Sequence, residues 1–581
     1  MRTLCRSLSA LLVVAASASA LRAAPAPEHV IVPDLILTGG HVKTTDGWAE
    51  ALAVRRGMVL AVGTVAGIGA LRGAATRVID LHGDTVLPGL HDAHVHPIDG
   101  GISELRCKIA QGSTLSATQE SVRACAGRTP SAEWVIGGQW DAPALGGIPD
   151  RRALDAATGN HPALIDDTSG HSAWANSRAL AIAGITKATA DPAGGIIERD
   201  AAGEPTGILR EAAVDLVRRH VPVASEATLR KALGWSLHEM LSFGITSYTE
   251  AAVGFIAGPE RELRTYAALA DARQMKQRAT LCITWAPGDV AAERAIATRN
   301  LYARPTIAPD CVKIFLDGVP TDGHTAAMLE PYADAVAGRD DDAGRKGLLL
   351  IRQSVLDAAV TRFDAMGLTV KFHAAGDAAV RAGLDAIAAA RKANGFTGQM
   401  HNVGHCTFVA PADIARARAI GATFEVSPYL WGPSPINDAI TAAVGEERIR
   451  RVWPVREMLA AGALVIPGSD WSVVPSVNPW IGIETLVTRE APGGSARSFG
   501  KDEAISLKDA MDLFTANAAR QARRGHLEGR IEPGMLADVI VVDQNPYDVP
   551  ARRLHDTRVR MTFVGGETVY EAPAGQGNGA R

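Results

Sequence analysis

The chain has 581 residues, with 59 Lys and Arg against 63 Asp and Glu, a formal net charge of −4 and 47% hydrophobic residues. These proportions are typical of globular proteins, so we exclude a wholly disordered chain. The nearly balanced charge argues against nucleic acid as a partner, since proteins that bind it present a basic face.

The first 20 residues have the pattern of a secretory signal peptide. Two arginines precede a short apolar segment over residues 8–16, and small residues typical of a cleavage site end at Ala20. An uncleaved membrane anchor is the alternative, but the apolar segment is shorter than the roughly 20 residues of a span. We therefore expect an exported protein, periplasmic or secreted, with no membrane span after cleavage and a mature chain that begins near Leu21.

Strand patterns occur at both ends of the chain. Apolar and polar residues alternate between residues 34 and 90, with Gly and Asp as punctuation, and the same pattern returns near the C-terminus. Two β-rich ends around a different middle predict a small composite β-sandwich domain built from residues 29–87 and 525–572.

The middle of the chain, residues 88–524, alternates short apolar strands with helical patterns. Repeated units of this kind predict a parallel sheet with right-handed crossovers, and six or more in a row favour an α/β fold with a closed, TIM-like (β/α)8 barrel. Residues 143–223 fit the alternation poorly and are predicted to form a loop-rich insertion over the barrel mouth. The predicted strands are 279–285, 312–316, 369–373, 399–405, 422–426 and 464–467, and the predicted helices are 226–242, 355–366, 378–392, 411–419 and 507–517.

The cysteines suggest one disulfide. Removal of a leader that contains Cys5 leaves five of the six cysteines, so they cannot all pair. Cys107 and Cys125 are close in sequence and lie in polar surroundings, so in an oxidising compartment they are the expected pair, with two free thiols as the alternative. Cys282 and Cys311 lie in or beside apolar segments and are expected to be small core residues.

His94 and His96 end the motif TVLPGLHDAHVHP. Residues i and i+2 of a strand face the same side, so both imidazoles point one way at the C-terminal end of a strand, where barrels carry their active sites. Two neutral imidazoles on one face can bind a metal ion together. His91 is an odd number of residues from both and is expected to face away.

Other strand ends carry further candidate ligands: His373 in KFHAAGD, His405 in MHNVGHC and Asp470 in IPGSDW. Lys313 in VKIFLDG is a lysine within an apolar strand. It either pairs with an acid or is a carbamate, formed with CO₂, whose two oxygens bridge two metals. Burial lowers an amine pKa and makes carbamate formation easier.

Together these motifs resemble the amidohydrolase superfamily of metal-dependent hydrolases, and more closely its amidohydrolase family three branch, which includes N-substituted formamide deformylase-like enzymes. The resemblance covers nearly the whole mature chain, through PGLHDAHVHP, SGHSAWANSRAL, KIFLDG, HAAGDAAV, GSDWSV, LFTANAAR and GRIEPGMLADVIVVD. It implies hydrolysis of a non-peptide carbon–nitrogen bond, of amide, N-acyl or N-formyl type, in a small-molecule substrate. A homodimer is a further expectation.

The resemblance implies metal binding by six residues: His94, His96, Lys313, His373, His405 and Asp470. The two histidines of the HxH motif are expected to bind the more buried metal, and His373 and His405 the second. Carbamylated Lys313 is expected to bridge the two. Asp470 is expected to bind metal and to act catalytically by moving protons. Two zinc ions are the expected cofactors, although iron, manganese or nickel accept the same ligands.

Three further residues are expected at the substrate. His171 in SGHSAW resembles a catalytic or substrate-pocket residue of the family, with a structural histidine as the alternative. Asp317 is expected to touch the substrate or to support the ligands. The sequence departs from the common family pattern at His405, which follows Gly404 where an acid often stands, and at His324, which is expected to affect substrate choice.

Other reactions remain open at this point. The same binuclear centre could hydrolyse an ester or a cyclic amide, and a non-catalytic binding barrel is a remote alternative. Deamination more often uses one metal without a lysine bridge, so Lys313 argues against it. Fold and ligands do not name the substrate, because specificity lies in the loops that follow the strands.

Overall fold

A computed structural model describes residues 31–110, 112–140, 142–167, 172–192, 195–321, 324–333 and 345–573. The predicted signal peptide and His171 lie outside these ranges. In the described part of the chain, no helix is both long and apolar enough to cross a membrane.

The strands of the described residues are short, mostly of four to ten residues. In chain order they are β1 (Leu35–Thr44), β2 (Gly47–Arg55), β3 (Met58–Gly63), β4 (Arg77–Asp80), β5 (Thr85–Pro88), β6 (Leu90–Val95), β7 (Val135–Trp140), β8 (Ala163–Asp167), β9 (Ser172–Ala175), β10 (Gly195–Arg199), β11 (Pro205–Glu211), β12 (Ile245–Val253), β13 (Arg278–Thr284), β14 (Ile307–Phe315), β15 (Thr369–Ala374), β16 (Asn402–His405), β17 (Thr423–Val426), β18 (Leu464–Pro467), β19 (Val539–Val542), β20 (Val559–Val564) and β21 (Glu567–Glu571).

Helices connect most of the central strands, and all five predicted helices are present. Glu226–Ser242 has the predicted bounds, and the other four differ at one or both ends. The α-helices are Val65–Gly69, Pro97–Leu105, Leu115–Arg128, Ala142–Leu145, Arg151–Thr158, Ser177–Ile182, Val214–Arg218, Glu226–Ser242, Pro259–Asp271, Val290–Thr298, Gln353–Ala365, Asp377–Asn394, Pro411–Ala417, Pro435–Val444, Glu446–Ile449, Val455–Ala460, Pro479–Thr488, Leu507–Asp512 and Ala518–Gln521. The 3₁₀ helices are Arg299–Tyr302, Pro428–Leu430, Lys501–Glu503 and Ala551–Asp556, and Leu513–Asn517 is a π-helix.

The central sheet is the predicted (β/α)8 barrel. Eight parallel strands pair in the order β6-β12-β13-β14-β15-β16-β17-β18. The barrel closes just beyond β18, where the Asp470 N–H donates to the His94 carbonyl and the His96 N–H to the Trp471 carbonyl, both at 2.7 Å. Gly468 permits this approach, because a Cβ there would lie 2.3 Å from the His94 Cβ. Closure therefore brings the last strand end against the first.

A second sheet contains strands from both ends of the chain. Its order is β21-β20-β19-β5-β1-β2-β3, with β4 paired to β1. Antiparallel pairing of β5 with β19 joins the N-terminal part of the sheet to the C-terminal part. Successive residues of β1 pack into separate apolar clusters, Leu35 and Leu37 in one and Ile36 in the other, as the alternation of a strand requires.

The segment predicted to be a loop-rich insertion is instead organised around a sheet. Five strands pair in the order β10-β11-β9-β8-β7, and Ile165, Trp174 and Ile208 belong to a separate apolar core beneath them. The sequence did not indicate this sheet because most of its strands pair antiparallel. They therefore lack the strand–helix alternation that identified the barrel units.

Two disulfides are present among the residues that the structure describes. Cys107 and Cys125, the pair expected from the sequence, are bonded. Cys282 and Cys311 are bonded as well, which corrects the expectation that they are core thiols. They lie opposite each other on the neighbouring strands β13 and β14, a pairing that depends on barrel assembly. Cys406 is a buried free thiol.

Peptide mapping of the non-reduced protein is expected to recover both disulfides as linked peptides. All four cysteines of the two disulfides are buried in the folded protein, so each bond, once formed, is shielded from thiol reagents. Alkylation in denaturant without reductant should then label Cys406 and spare Cys282 and Cys311. Labelling of those two residues under the same conditions would contradict the bond between β13 and β14.

Candidate active site

Two imidazoles and one carboxylate converge at the C-terminal end of β6. His94 Nε2 and His96 Nε2 lie 3.5 and 3.3 Å from the same oxygen of Asp470. The three ligand atoms all lie within 4.8 Å of one another. Imidazole and carboxylate donors at this spacing fit a divalent cation, and the three residues form the candidate metal site.

The other predicted ligands surround the same carboxylate. His405 Nδ1 lies 3.9 Å from the second oxygen of Asp470, and the His405 ring centre is 4.9 Å from that of His94 and 4.3 Å from that of His373. The His373 Nε2 atom lies 3.1 Å from the Gly318 carbonyl oxygen. Barrel closure has thus assembled donors from strands that lie far apart in the sequence.

Lys313 lies on β14, the neighbour of the strand that carries His373, and is 1% exposed. Its Nζ has no hydrogen-bond acceptor or carboxylate partner within the described ranges, although the Phe315 ring centre is 4.9 Å away. Burial lowers the pKa of Lys313 to about 8, against the opposing effect of the Asp470 charge. The neutral amine is the form that reacts with CO₂, so this environment favours a carbamate.

Burial also favours the neutral form of most of the imidazoles. It lowers the pKa of His94 and His405 well below the usual range and that of His373 to about 4, and the Lys313 charge lowers all three further. His96 differs: burial opposes its protonation, but hydrogen bonds to Asp470 and Glu250 prevail and raise its pKa to about 9. A neutral ring is the form that binds a metal, so a metal ion at His96 would have to displace a proton.

Backbone strain is concentrated at these strand ends. His405, Cys406 and Asp470 have φ values of 70°, 45° and 62°, in a region that residues with a side chain rarely occupy. Each such residue costs on the order of 1–3 kcal/mol, which persists only where the surroundings enforce it. Strain in two of the proposed ligands supports a functional reason for their conformation.

The Asp317 carboxylate is held by backbone groups. Its two oxygens accept hydrogen bonds from the backbone N–H groups of Ala327, Ala375 and Gly376 at 2.8–3.0 Å. The carboxylate thereby joins the loop after β14 to the loop after β15. These contacts support the loop that follows His373. A direct contact of Asp317 with the substrate stays a prediction.

Two other predicted residues are placed as follows. The His324 ring stacks on Tyr332, with ring centres 4.4 Å apart, and its contact with substrate stays a prediction. His91 faces away from the site as expected, with its Nδ1 atom 2.8 Å from the Ser247 hydroxyl.

The sequence did not single out three buried charged residues next to the HxH motif. Glu425 Oε1 contacts His94 Nδ1, Glu250 Oε1 lies 3.3 Å from His96 Nδ1, and Lys371 forms an ion pair with Glu425. Each is a charged residue within an apolar strand, which is the signal that singled out Lys313. Lys371 also precedes His373 by two residues and so shares its face of the strand.

Comparison with known proteins extends over most of the chain. The model of the amidohydrolase family matches residues 77–570. The protein LONG AFTER FAR-RED 3 of Arabidopsis thaliana is 30% identical over 94% of this chain and 93% of its own length. N-substituted formamide deformylase of Arthrobacter pascens is 28% identical over 93% of this chain and 98% of its own.

A crystal structure of an uncharacterized metal-dependent hydrolase from Pyrococcus furiosus shares the fold. It covers 88% of this chain and 99% of its own, with a TM-score of 0.70 and 22% sequence identity. At this identity the likeness shows a shared fold alone.

Proposed function

The chain belongs to the amidohydrolase family and is a metal-dependent hydrolase acting on carbon–nitrogen bonds, and we propose that it is an exported enzyme whose substrate is a small non-peptide amide of N-acyl or N-formyl type. The convergence of His94, His96 and Asp470 at the C-terminal end of the barrel carries this proposal. The similarity to a relative named N-substituted formamide deformylase supports the class of bond.

We infer two divalent ions, of which zinc is the first choice and iron, manganese or nickel are alternatives. His94, His96 and Asp470 would hold one ion and His373 and His405 the other, with carbamylated Lys313 shared between them. A divalent ion at such a site lowers the pKa of a coordinated water towards about 7 and polarises a carbonyl oxygen.

Asp470 is the residue that we propose to move protons. Its two oxygens face both halves of the site, one towards the HxH histidines and the other towards His405. In this position it can accept a proton from the attacking water and return it to the leaving nitrogen, which needs the proton to depart as an amine. Contacts of His171 and His324 with the substrate belong to the same proposal.

Hydrolysis assays on the metal-loaded protein test the reaction. N-formyl amines, N-acyl amines, cyclic amides and esters should be compared, with amine release or alcohol release as the readout. We expect turnover of N-formyl or N-acyl amines, and its loss in Asp470→Asn. Turnover confined to esters or cyclic amides would favour those alternatives, and a metal-loaded protein that turns over none of the four classes would contradict the proposal.

Export is expected to leave a chain that begins near Leu21. The signal-peptide pattern of residues 1–20 motivates this, and the two disulfides support it because such bonds persist in oxidising compartments. Mass spectrometry of periplasmic or secreted protein should find the shortened N-terminus, whereas an intact Met1 on protein retained in the cytosol would argue against export. Light scattering of the same mature protein tests the accompanying proposal of a homodimer.

A further inference from the structure

We propose that Glu250 and Glu425, the latter held by Lys371, are positioning residues that fix the tautomer and direction of the two HxH histidines. The inference rests on the proposed function, since it assumes that His94 and His96 bind metal. It concerns how the protein presents these two rings to the ion.

Both histidines use the same ring nitrogen for a carboxylate. His94 Nδ1 contacts Glu425 Oε1, and His96 Nδ1 lies 3.3 Å from Glu250 Oε1. Because an ionised carboxylate only accepts hydrogen bonds, Nδ1 is the nitrogen that carries the proton in each ring. In the neutral, metal-binding form of each ring, Nε2 is then the nitrogen without a proton, and both Nε2 atoms face the same oxygen of Asp470. The two carboxylates thus select the tautomer that a metal ion at this site requires.

Each carboxylate is itself held in place. Glu250 Oε1 accepts the Ala252 N–H at 3.1 Å, and Glu250 Oε2 accepts the Tyr266 hydroxyl at 2.6 Å. Glu250 lies within β12, where it is opposite Val95, the residue between the two histidines of the HxH motif. Its geometry is therefore determined by backbone and side-chain donors that do not take part in the metal site.

Glu425 depends on a buried lysine in the same way. Lys371 pairs with Glu425 and also donates to the Ala93 carbonyl at 2.9 Å and to Asn402 Oδ1 at 3.3 Å. Glu425 and Lys371 are both 0% exposed. A buried ion pair usually contributes little net stability compared with well-packed apolar residues. The pair lies against His94, and the orientation of that ring explains its presence there.

Zinc affinity and thermal stability measured in parallel test the inference. Glu250→Gln and Glu425→Gln keep the shape of the side chain but remove its charge, and each is expected to weaken zinc binding about 10- to 100-fold in competition with a chelator. Glu425→Gln also leaves the Lys371 ammonium without its carboxylate, so its melting temperature should fall. Combining Glu425→Gln with Lys371→Met removes both charges and should recover the melting temperature while zinc binding stays weak.

Asp364→Asn is the matched control. Asp364 also holds a buried imidazole, that of His401, whose Nε2 atom lies 2.9 Å from Asp364 Oδ1. His401 lies outside the candidate metal site. The Asp364→Asn variant should have a lower melting temperature and an unchanged zinc affinity. Wild-type zinc affinity in both glutamine variants would overturn the inference alone, because the wild-type protein would still bind metal. A wild-type protein that binds no zinc would overturn the inference together with the proposed function.

Discussion

Lys313→Ala is expected to lose the second metal and nearly all hydrolytic activity. An unmodified ammonium has three donors and no acceptor, so it cannot bind a metal, and its charge would repel two nearby dications. A carbamate instead provides two oxygens and a negative charge. Alanine removes both, so the metal content of the purified variant, measured by plasma emission spectrometry, should fall from about two ions to one or none per chain.

Two companion experiments separate the carbamate from an ion-pair role of Lys313. Short carboxylic acids added to Lys313→Ala should restore part of the turnover by supplying the missing bridge. Lys313→Arg should stay inactive, since a guanidinium is not deprotonated in proteins. A metal-bound crystal structure with an unmodified Lys313 far from both ions would reject the carbamate and leave at most a one-metal site.

His94→Ala and His96→Ala are each expected to lose metal and activity together. Each change removes one of three donors that lie within 4.8 Å of one another, and the remaining two contacts form a much weaker site. The loss of zinc affinity should exceed the roughly 10- to 100-fold loss expected when a residue that hydrogen-bonds a metal ligand is removed. Chelator competition and turnover, measured on the same preparations, should fall in parallel.

His91→Ala is the control for these two variants. It removes a third histidine from the same strand, but one that contacts the Ser247 hydroxyl on the other side. We expect it to destabilise the protein and to retain metal. Full metal content and full turnover in either HxH variant would contradict the assignment of that histidine as a ligand.

Local sequence patterns were sufficient for the barrel and for the identity of its candidate ligands. Alternating short apolar strands and helical segments predicted the (β/α)8 fold, and every strand predicted in the middle of the chain is present. Polar residues at strand ends indicated His94, His373 and Asp470 because parallel strands carry active sites at their C-terminal ends. Lys313 was identified by a signal of the same kind, a charge within an apolar strand.

The pairing of distant segments could not be read from these patterns. The insertion sheet, the bond between Cys282 and Cys311, and the contacts of Glu250 and Glu425 all depend on which strands become neighbours. A sequence pattern records the periodicity of one element and the burial of its faces. The register between elements is determined by barrel closure and packing across the whole chain. The sequence by itself therefore determined the candidate ligands, and only the tertiary structure decided which groups lie against them.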